Sequence, residues 1–204
     1  MSEMSVADAP AAPAHPATSL GIDHRKLGVW AFLASECMLF GSLITTYLLY
    51  KDRIGDGPGP GDIFEIPFTS ISSFVLLMSS LTMVLAHNAV LHKDRRRMEL
   101  WLLATAMLGL VFIGGQVFEF TAFVREGMTM TTSPFASSFF LLTGFHGTHV
   151  TFGILMLLTL FTLSKMGRLT LEDDTRVDII ALYWHFVDIV WIIIFTFIYL
   201  IPVG

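Results

Sequence analysis

Charge is scarce in this chain of 204 residues: Asp, Glu, Lys and Arg make up 14% of it, where a water-soluble domain carries roughly a quarter. The shortage excludes a soluble domain, and the charges that are present sit in clumps between long apolar runs. Basic charge is scarcer still. The formal net charge of −5 argues against a nucleic-acid partner, because phosphate binding needs clustered basic surface. Cysteine occurs once, at Cys37 within an apolar run, so no internal disulfide can form. Residues 1–20, MSEMSVADAPAAPAHPATSL, lack the basic start and continuous apolar core of a signal peptide. Rich in Ala and Pro, they are expected to be a disordered tail. No internal repeat is present.

What the chain has in abundance is apolar sequence: 54% of its residues are hydrophobic and its mean hydropathy is +0.69. Five apolar runs, about 27–50, 67–91, 98–124, 137–164 and 179–201, each reach the roughly 20 residues a helix needs to cross hydrocarbon. Backbone groups in lipid must be satisfied within their own segment, so the runs are predicted to be helices. The expected fold is an all-α membrane protein, a five-helix transmembrane domain over 21–204. The connections carry Gly and Pro (KDRIGDGPGPGDIFEI, REGMTMTTSP) or charge (HKDRRR, KMGRLTLEDDTR). Alternation of the loops puts Arg25, Lys26, Lys93, Arg95, Arg96, Arg97, Lys165, Arg168 and Arg176 on one side and Lys51, Arg53 and Arg125 on the other. Positive residues near helix ends stay on the cytoplasmic face, which predicts the N-terminus inside and the C-terminus outside. The acidic run Glu172, Asp173 and Asp174 reads as a solvated loop on the inner side.

Ionisable groups inside apolar runs are the informative positions, because each is costly in lipid and usually faces a partner or water. Glu36 lies about 9 residues into the first run, about 14 Å deep at the rise of a helix, in a stripe with Phe32, Phe40, Leu43 and Tyr47. Two readings of it stay open: a carboxyl bonded to a neighbouring helix or backbone carbonyl, and one that handles protons or regulates. In the fourth run, His146 and His149 share a face at i, i+3, while Thr143, Gly147 and Thr151 have the spacing that lets helices approach closely. In the fifth, His185 and Asp188 share a face, flanked by Trp184 and Trp191. Their similar depths allow a His–Asp bond that locks the fourth and fifth helices together. Paired histidines can also ligate haem or a metal, but the pairs are i, i+3 with no Cys or Met at ligand spacing. A proton path would need a polar relay across about 30 Å, and the second and third runs offer almost only Ser79, Ser80, Thr82 and Thr105 toward the inner side. Glu119, one turn after Gln116, reads as a helix-packing hydrogen bond or an interfacial residue. His87 and His92 with Lys93, Arg95, Arg96 and Arg97 form a basic collar, read either as a site for anionic lipid headgroups or as ordinary topology signals.

At these positions the sequence resembles subunit III of the haem-copper respiratory oxidases, in the short five-helix form of bacterial cytochrome c and quinol oxidases. The resemblance spans about 27–201 and rests on FLASECMLF, AHNAVLHKDRRRM, GQVFEF, SSFFLLTGFHGTHVTFG and YWHFVDIVWIIIFTFIYL. It implies an accessory subunit that binds neither haem nor copper, the redox centres belonging to subunits I and II. It further implies a chain that packs on subunit I, holds structural phospholipid and supports proton uptake in a bacterial inner membrane. Glu36 matches the family's intramembrane carboxylate, His87, Arg95, Arg96 and Arg97 its inner-face positions, and Glu119, His146, His149, His185 and Asp188 its other polar positions. Longer members have two further N-terminal helices that wall a lipid cleft, so another chain is expected to close any cleft here. Cytochrome c is the expected electron donor, with quinol as the alternative. A stand-alone secondary transporter is the contrasting reading, opposed by the odd helix number and the absence of repeats or broken helices.

Overall fold

The computed structural model describes residues 24–55, 65–169 and 175–201, so the expected tail and the acidic run Glu172, Asp173 and Asp174 lie outside the described residues. Within them are five helices long and apolar enough to cross a membrane: α1 (His24–Tyr50), α2 (Ile66–Leu91), α3 (Arg95–Arg125), α4 (Pro134–Lys165) and α5 (Thr175–Phe195). A π-helical turn, Thr196–Leu200, continues α5.

Most helices begin up to a turn before the apolar runs that announce them, because hydropathy marks where hydrocarbon begins while a helix begins at its cap. The Asp94 carboxylate accepts from the Arg97 N–H at 3.0 Å and starts α3. The Ser133 hydroxyl accepts from the Ala136 N–H at 3.1 Å and starts α4, with Pro134 in the first turn where its missing N–H is harmless. The reversal between α2 and α3 takes three residues. Lys93 adopts φ 57°, and the Asp94 N–H donates back to the Ala89 carbonyl at 2.9 Å. A left-handed lysine in a role usually filled by glycine makes this turn a conformationally costly one.

Helices α2, α3, α4 and α5 form a ring closed by contact between α5 and α2, and α1 lies outside it against α4 and α5. Only 11% of the spanning window of α1 is buried, against 33–44% for the others, so α1 is the peripheral helix. It attaches through Leu33, Phe40 and Tyr47, one contact every seven residues. The ring is filled by Trp184 and Trp191 of α5, whose indole N–H groups donate to Ser79 and Ser73 of α2 at 3.0 and 2.9 Å.

Close helix approach falls elsewhere than the face of Thr143, Gly147 and Thr151. Thr151 is exposed, and a Cβ on Gly147 would touch only Ile113 at 4.0 Å. The close approaches are at Gly109 of α3 and Gly153 of α4, which flank the Trp184 ring: added Cβ atoms there would stand 2.7 and 2.8 Å from it. A flat indole wedged between two helices needs bare backbone on both sides, and that requirement overrides the spacing pattern.

Candidate functional site

The α2–α5 interface carries a polar seam in antiparallel register. At the end of the bundle that holds the basic α2–α3 turn, Asp178 of α5 takes the Lys26 ammonium of α1 at 2.5 Å and lies 3.6 Å from His87 Nε2 of α2. Seven residues along each helix, the Ser80 hydroxyl and His185 Nδ1 are 2.7 Å apart. Seven residues further along α2, Ser73 accepts from Trp191. The partners recur every two turns, about 10.5 Å, with Leu76 and Met83 of α2 buried between them. His87 therefore belongs to this seam, beside an acid, and faces inward from the basic collar.

Glu36 of α1 finds its partner on α4: its Oε2 lies 3.0 Å from His149 Nε2. The other ring nitrogen, Nδ1, is 2.7 Å from the Phe145 carbonyl, which can only accept, so Nδ1 carries a proton. The contact at Nε2 then holds a single shared proton, either on the carboxyl or on the ring, and the pair has no net charge in either arrangement. Phe40 packs edge-on to the imidazole with centroids 5.0 Å apart, and Tyr183 of α5 donates to the His149 carbonyl at 3.0 Å. Three helices thus meet at one histidine.

Glu119 of α3 is buried and fully bonded: Thr69 donates to it at 2.6 Å, Tyr199 at 3.2 Å and Gln116 at 3.2 Å. The π-helical turn sets Tyr199 toward it, one residue out of α-helical phase. These contacts place Glu119 in helix packing rather than at an interface with water.

The expected His–Asp lock between α4 and α5 does not form. His149 is held by Glu36 and His185 by Ser80, while His146 and Asp188 are buried with no hydrogen-bond partner for any of their side-chain N or O atoms among the described residues. The reason is directional. The Asp188 side of α5 faces α2, whereas His146 points into a box of rings, stacked on Trp191 at 4.8 Å with Phe112 and Phe40 edge-on at 6.0 and 6.4 Å.

At the basic end the collar divides. Arg95 reaches across to the Leu169 carbonyl at 2.7 Å, Arg97 pairs with Asp94 at 3.2 Å, and His92 bonds the Asn88 carbonyl at 2.9 Å. Lys93 and Arg96 are exposed. At this end an open groove of about 530 Å³ runs between α2 and α3, floored by Leu85, Ala89, Leu100 and Trp101 and rimmed by Asn88, His92, Asp94 and Arg97. Two acids escaped the sequence reading. Glu99 of α3 is bonded by Lys165 at 2.6 Å and Ser164 at 2.7 Å, tying α3 to α4. Asp178 stands one residue before the fifth apolar run. The available signal was an acid within a turn of a helix start, on the side where the basic residues collect. Among the described residues, no three His, Cys, Asp or Glu side chains converge in a way that could hold a metal ion.

Sequence comparison extends along nearly the whole chain. The family profile described as Cytochrome c oxidase subunit III matches residues 14–203. Cytochrome c oxidase subunit 3 of Bacillus sp. (strain PS3) is 43% identical over 191 residues, covering 94% of this chain and 92% of that one. Quinol oxidase subunit 3 of Bacillus subtilis (strain 168) is 39% identical over 178 residues, 87% of each chain. Cytochrome bo(3) ubiquinol oxidase subunit 3 of Pseudomonas aeruginosa is 40% identical over 174 residues, covering 85% and 83%.

Proposed function

The chain belongs to the cytochrome c oxidase subunit III family, and from that premise we propose that it is the accessory subunit III of a proton-pumping haem-copper oxidase, packed on subunit I and without a redox centre of its own. The end-to-end family match, residues 14–203, carries this reading. Five spanning helices and bacterial relatives make it a multi-pass protein of the bacterial inner membrane. The polar contacts inside the bundle support an accessory role, since Glu119, Glu99, Glu36 and His149 are each committed to holding one helix to another. In this reading the basic end faces the cytoplasm, in keeping with retention of Lys and Arg there. The groove between α2 and α3 receives an anionic phospholipid, its chains along Leu85 and Leu100 and its headgroup near Arg97, whose pairing with Asp94 offsets the one acid on the rim. The exposed Lys93 and Arg96 at the same end of the bundle add positive potential.

Cytochrome c is the favoured electron donor, on the 43% identity to a cytochrome c oxidase subunit. The quinol reading rests on relatives only slightly more distant, at 39–40%. Purification of the tagged chain from its own membranes in mild detergent tests both. A partner with haem absorbance and copper, reducing oxygen from cytochrome c, is the expected result. Activity from quinol alone moves the assignment to the quinol oxidases, and a chain recovered without a haem-bearing partner overturns the accessory role.

A further inference from the structure

Three helices converge on one carboxylate at the basic end of the bundle. Asp178 of α5 turns its two oxygens to different neighbours: Oδ2 meets the Lys26 ammonium of α1 at 2.5 Å, and Oδ1 lies 3.6 Å from His87 Nε2 of α2. The two contacts differ in kind. The first is a closed ion pair, whereas the second stands just beyond hydrogen-bond distance and gains strength only when the imidazole gains charge. The side chains of Asp178, Lys26 and His87 are 38%, 43% and 31% exposed, so protons reach the ring directly from solvent.

We propose that His87, Asp178 and Lys26 form a proton-operated clasp, which ties α1 to α5 when the imidazole is neutral and α1, α5 and α2 together when it is protonated. An imidazolium donates from Nε2 to Oδ1, the oxygen opposite the one that Lys26 takes, so closing the clasp displaces nothing. Deeper in the seam, α2 and α5 are held by uncharged bonds from Trp184 to Ser79 and from Trp191 to Ser73, which do not answer to pH. The clasp therefore governs the last turns of α2 and the first turns of α5. Through Lys26 it also governs whether the peripheral helix α1 is linked at this end to one helix of the ring or to two. The basic end stiffens as its surroundings acidify and loosens as they turn alkaline.

The other ionisable groups at this end do not supply the switch. On α1, Arg25 has contacts of its own and His24 is exposed. On α5, Arg176 is likewise engaged, and His185, seven residues deeper, is bonded to Ser80. On α3, Arg95 is bound to the Leu169 carbonyl, Arg97 to Asp94 and Glu99 to Lys165, while Arg96 is exposed. On α2 itself, His92 is tied to the Asn88 carbonyl. Histidine is the side chain that ordinarily changes charge between about pH 5 and 8. Among the described residues at this end, His87 alone of the histidines stands at ion-pair distance from a carboxylate.

Amide hydrogen exchange of the intact complex in lipid, corrected for the intrinsic pH dependence of exchange, tests the clasp at the C-terminal turns of α2 and the N-terminal turns of α5. Protection there should rise as the pH is lowered from about 8 to about 5.5. The expected gain is about two- to fivefold, the span that a partly exposed ion pair supports. His87→Gln should abolish the rise, and His87→Lys, charged at every pH in the range, should hold the protected level throughout. His92→Gln should leave the rise intact. A flat profile in the unaltered protein, a rise that survives His87→Gln, or a rise lost in His92→Gln overturns the clasp. If His87→Gln fails to assemble, Asp178→Asn removes the other half of the contact and must also be flat; a rise that persists without the carboxylate again overturns it.

Discussion

Adding a single methyl group at Gly153 tests how the ring of helices is held. The new Cβ would stand 2.8 Å from Cε3 and Cζ3 of Trp184, which is closer than carbon atoms tolerate. The indole has nowhere to go. On its far side Cη2 is only 2.7 Å from where a Cβ of Gly109 would be, and its N–H is tied to Ser79 at 3.0 Å. Relief must come from helix displacement or a strained rotamer, at about 1–3 kcal/mol. If the Ser79 bond breaks as well, about 1 kcal/mol more is lost. The better helix propensity of alanine returns at most about 1 kcal/mol. The net expectation for Gly153→Ala is a loss of about 1–3 kcal/mol, measured as lower retention of the subunit in the complex when detergent or temperature is raised. Gly144→Ala, on the same helix with nothing within 4 Å of its added Cβ, is the control and should be close to neutral. The clashing atoms belong to the six-membered ring of the indole. Trp184→Phe withdraws most of them, and the double variant should be less destabilised than the sum of the two single changes. Equal effects of Gly153→Ala and Gly144→Ala, or strict additivity with Trp184→Phe, would refute the wedge.

Glu119→Leu should cost about 1–3 kcal/mol by stranding the donors of Thr69, Tyr199 and Gln116, whereas Glu119→Gln keeps an acceptor and should cost far less; thermal unfolding of the complex separates them. Glu36→Gln can still donate to His149 Nε2 and should hold α1 in place, while Glu36→Ala leaves that nitrogen unpaired and should loosen α1 by about 1–3 kcal/mol, read as faster proteolysis near Lys51. Replacing Lys93, Arg96 and Arg97 together by Gln should lower the anionic phospholipid that co-purifies, each charge contributing about 1 kcal/mol; an unchanged lipid content would leave those residues as topology signals alone.

The sequence announces its helices plainly, because a run of apolar residues long enough to cross lipid has one stable backbone conformation. It also announces which side chains are unusual. It does not announce which helices touch. His149 meets Glu36 only because α1 lies against α4, and His87 meets Asp178 only because α5 closes the ring onto α2. Run lengths and loop charges say nothing about either adjacency. The expected bond between Asp188 and a histidine of α4 fails for the same reason: equal depth is readable from spacing, but azimuth is not. Tyr199 is harder still to foresee, since its bond to Glu119 depends on a π-helical turn that shifts its phase. The wedge of Trp184 between Gly109 and Gly153 joins residues on three helices that no single-helix pattern could have linked.

The seam between α2 and α5 also orders the birth of the molecule. On its own, α5 is a poor guest for a bilayer: an aspartate near the centre of a helix costs about 2.5–3.5 kcal/mol to insert, and His185 and two indole N–H groups raise that further. Ser73, Ser79 and Ser80, which receive three of those groups, lie on a helix made roughly a hundred residues earlier. The ribosome therefore delivers the serines before the groups they bind. α5 is expected to linger at the insertion machinery until α2, α3 and α4 stand beside it, and then to leave for the lipid already docked. Translation sequence becomes assembly sequence, and a chain with a defective α2 should betray itself as a fifth helix that never enters the membrane.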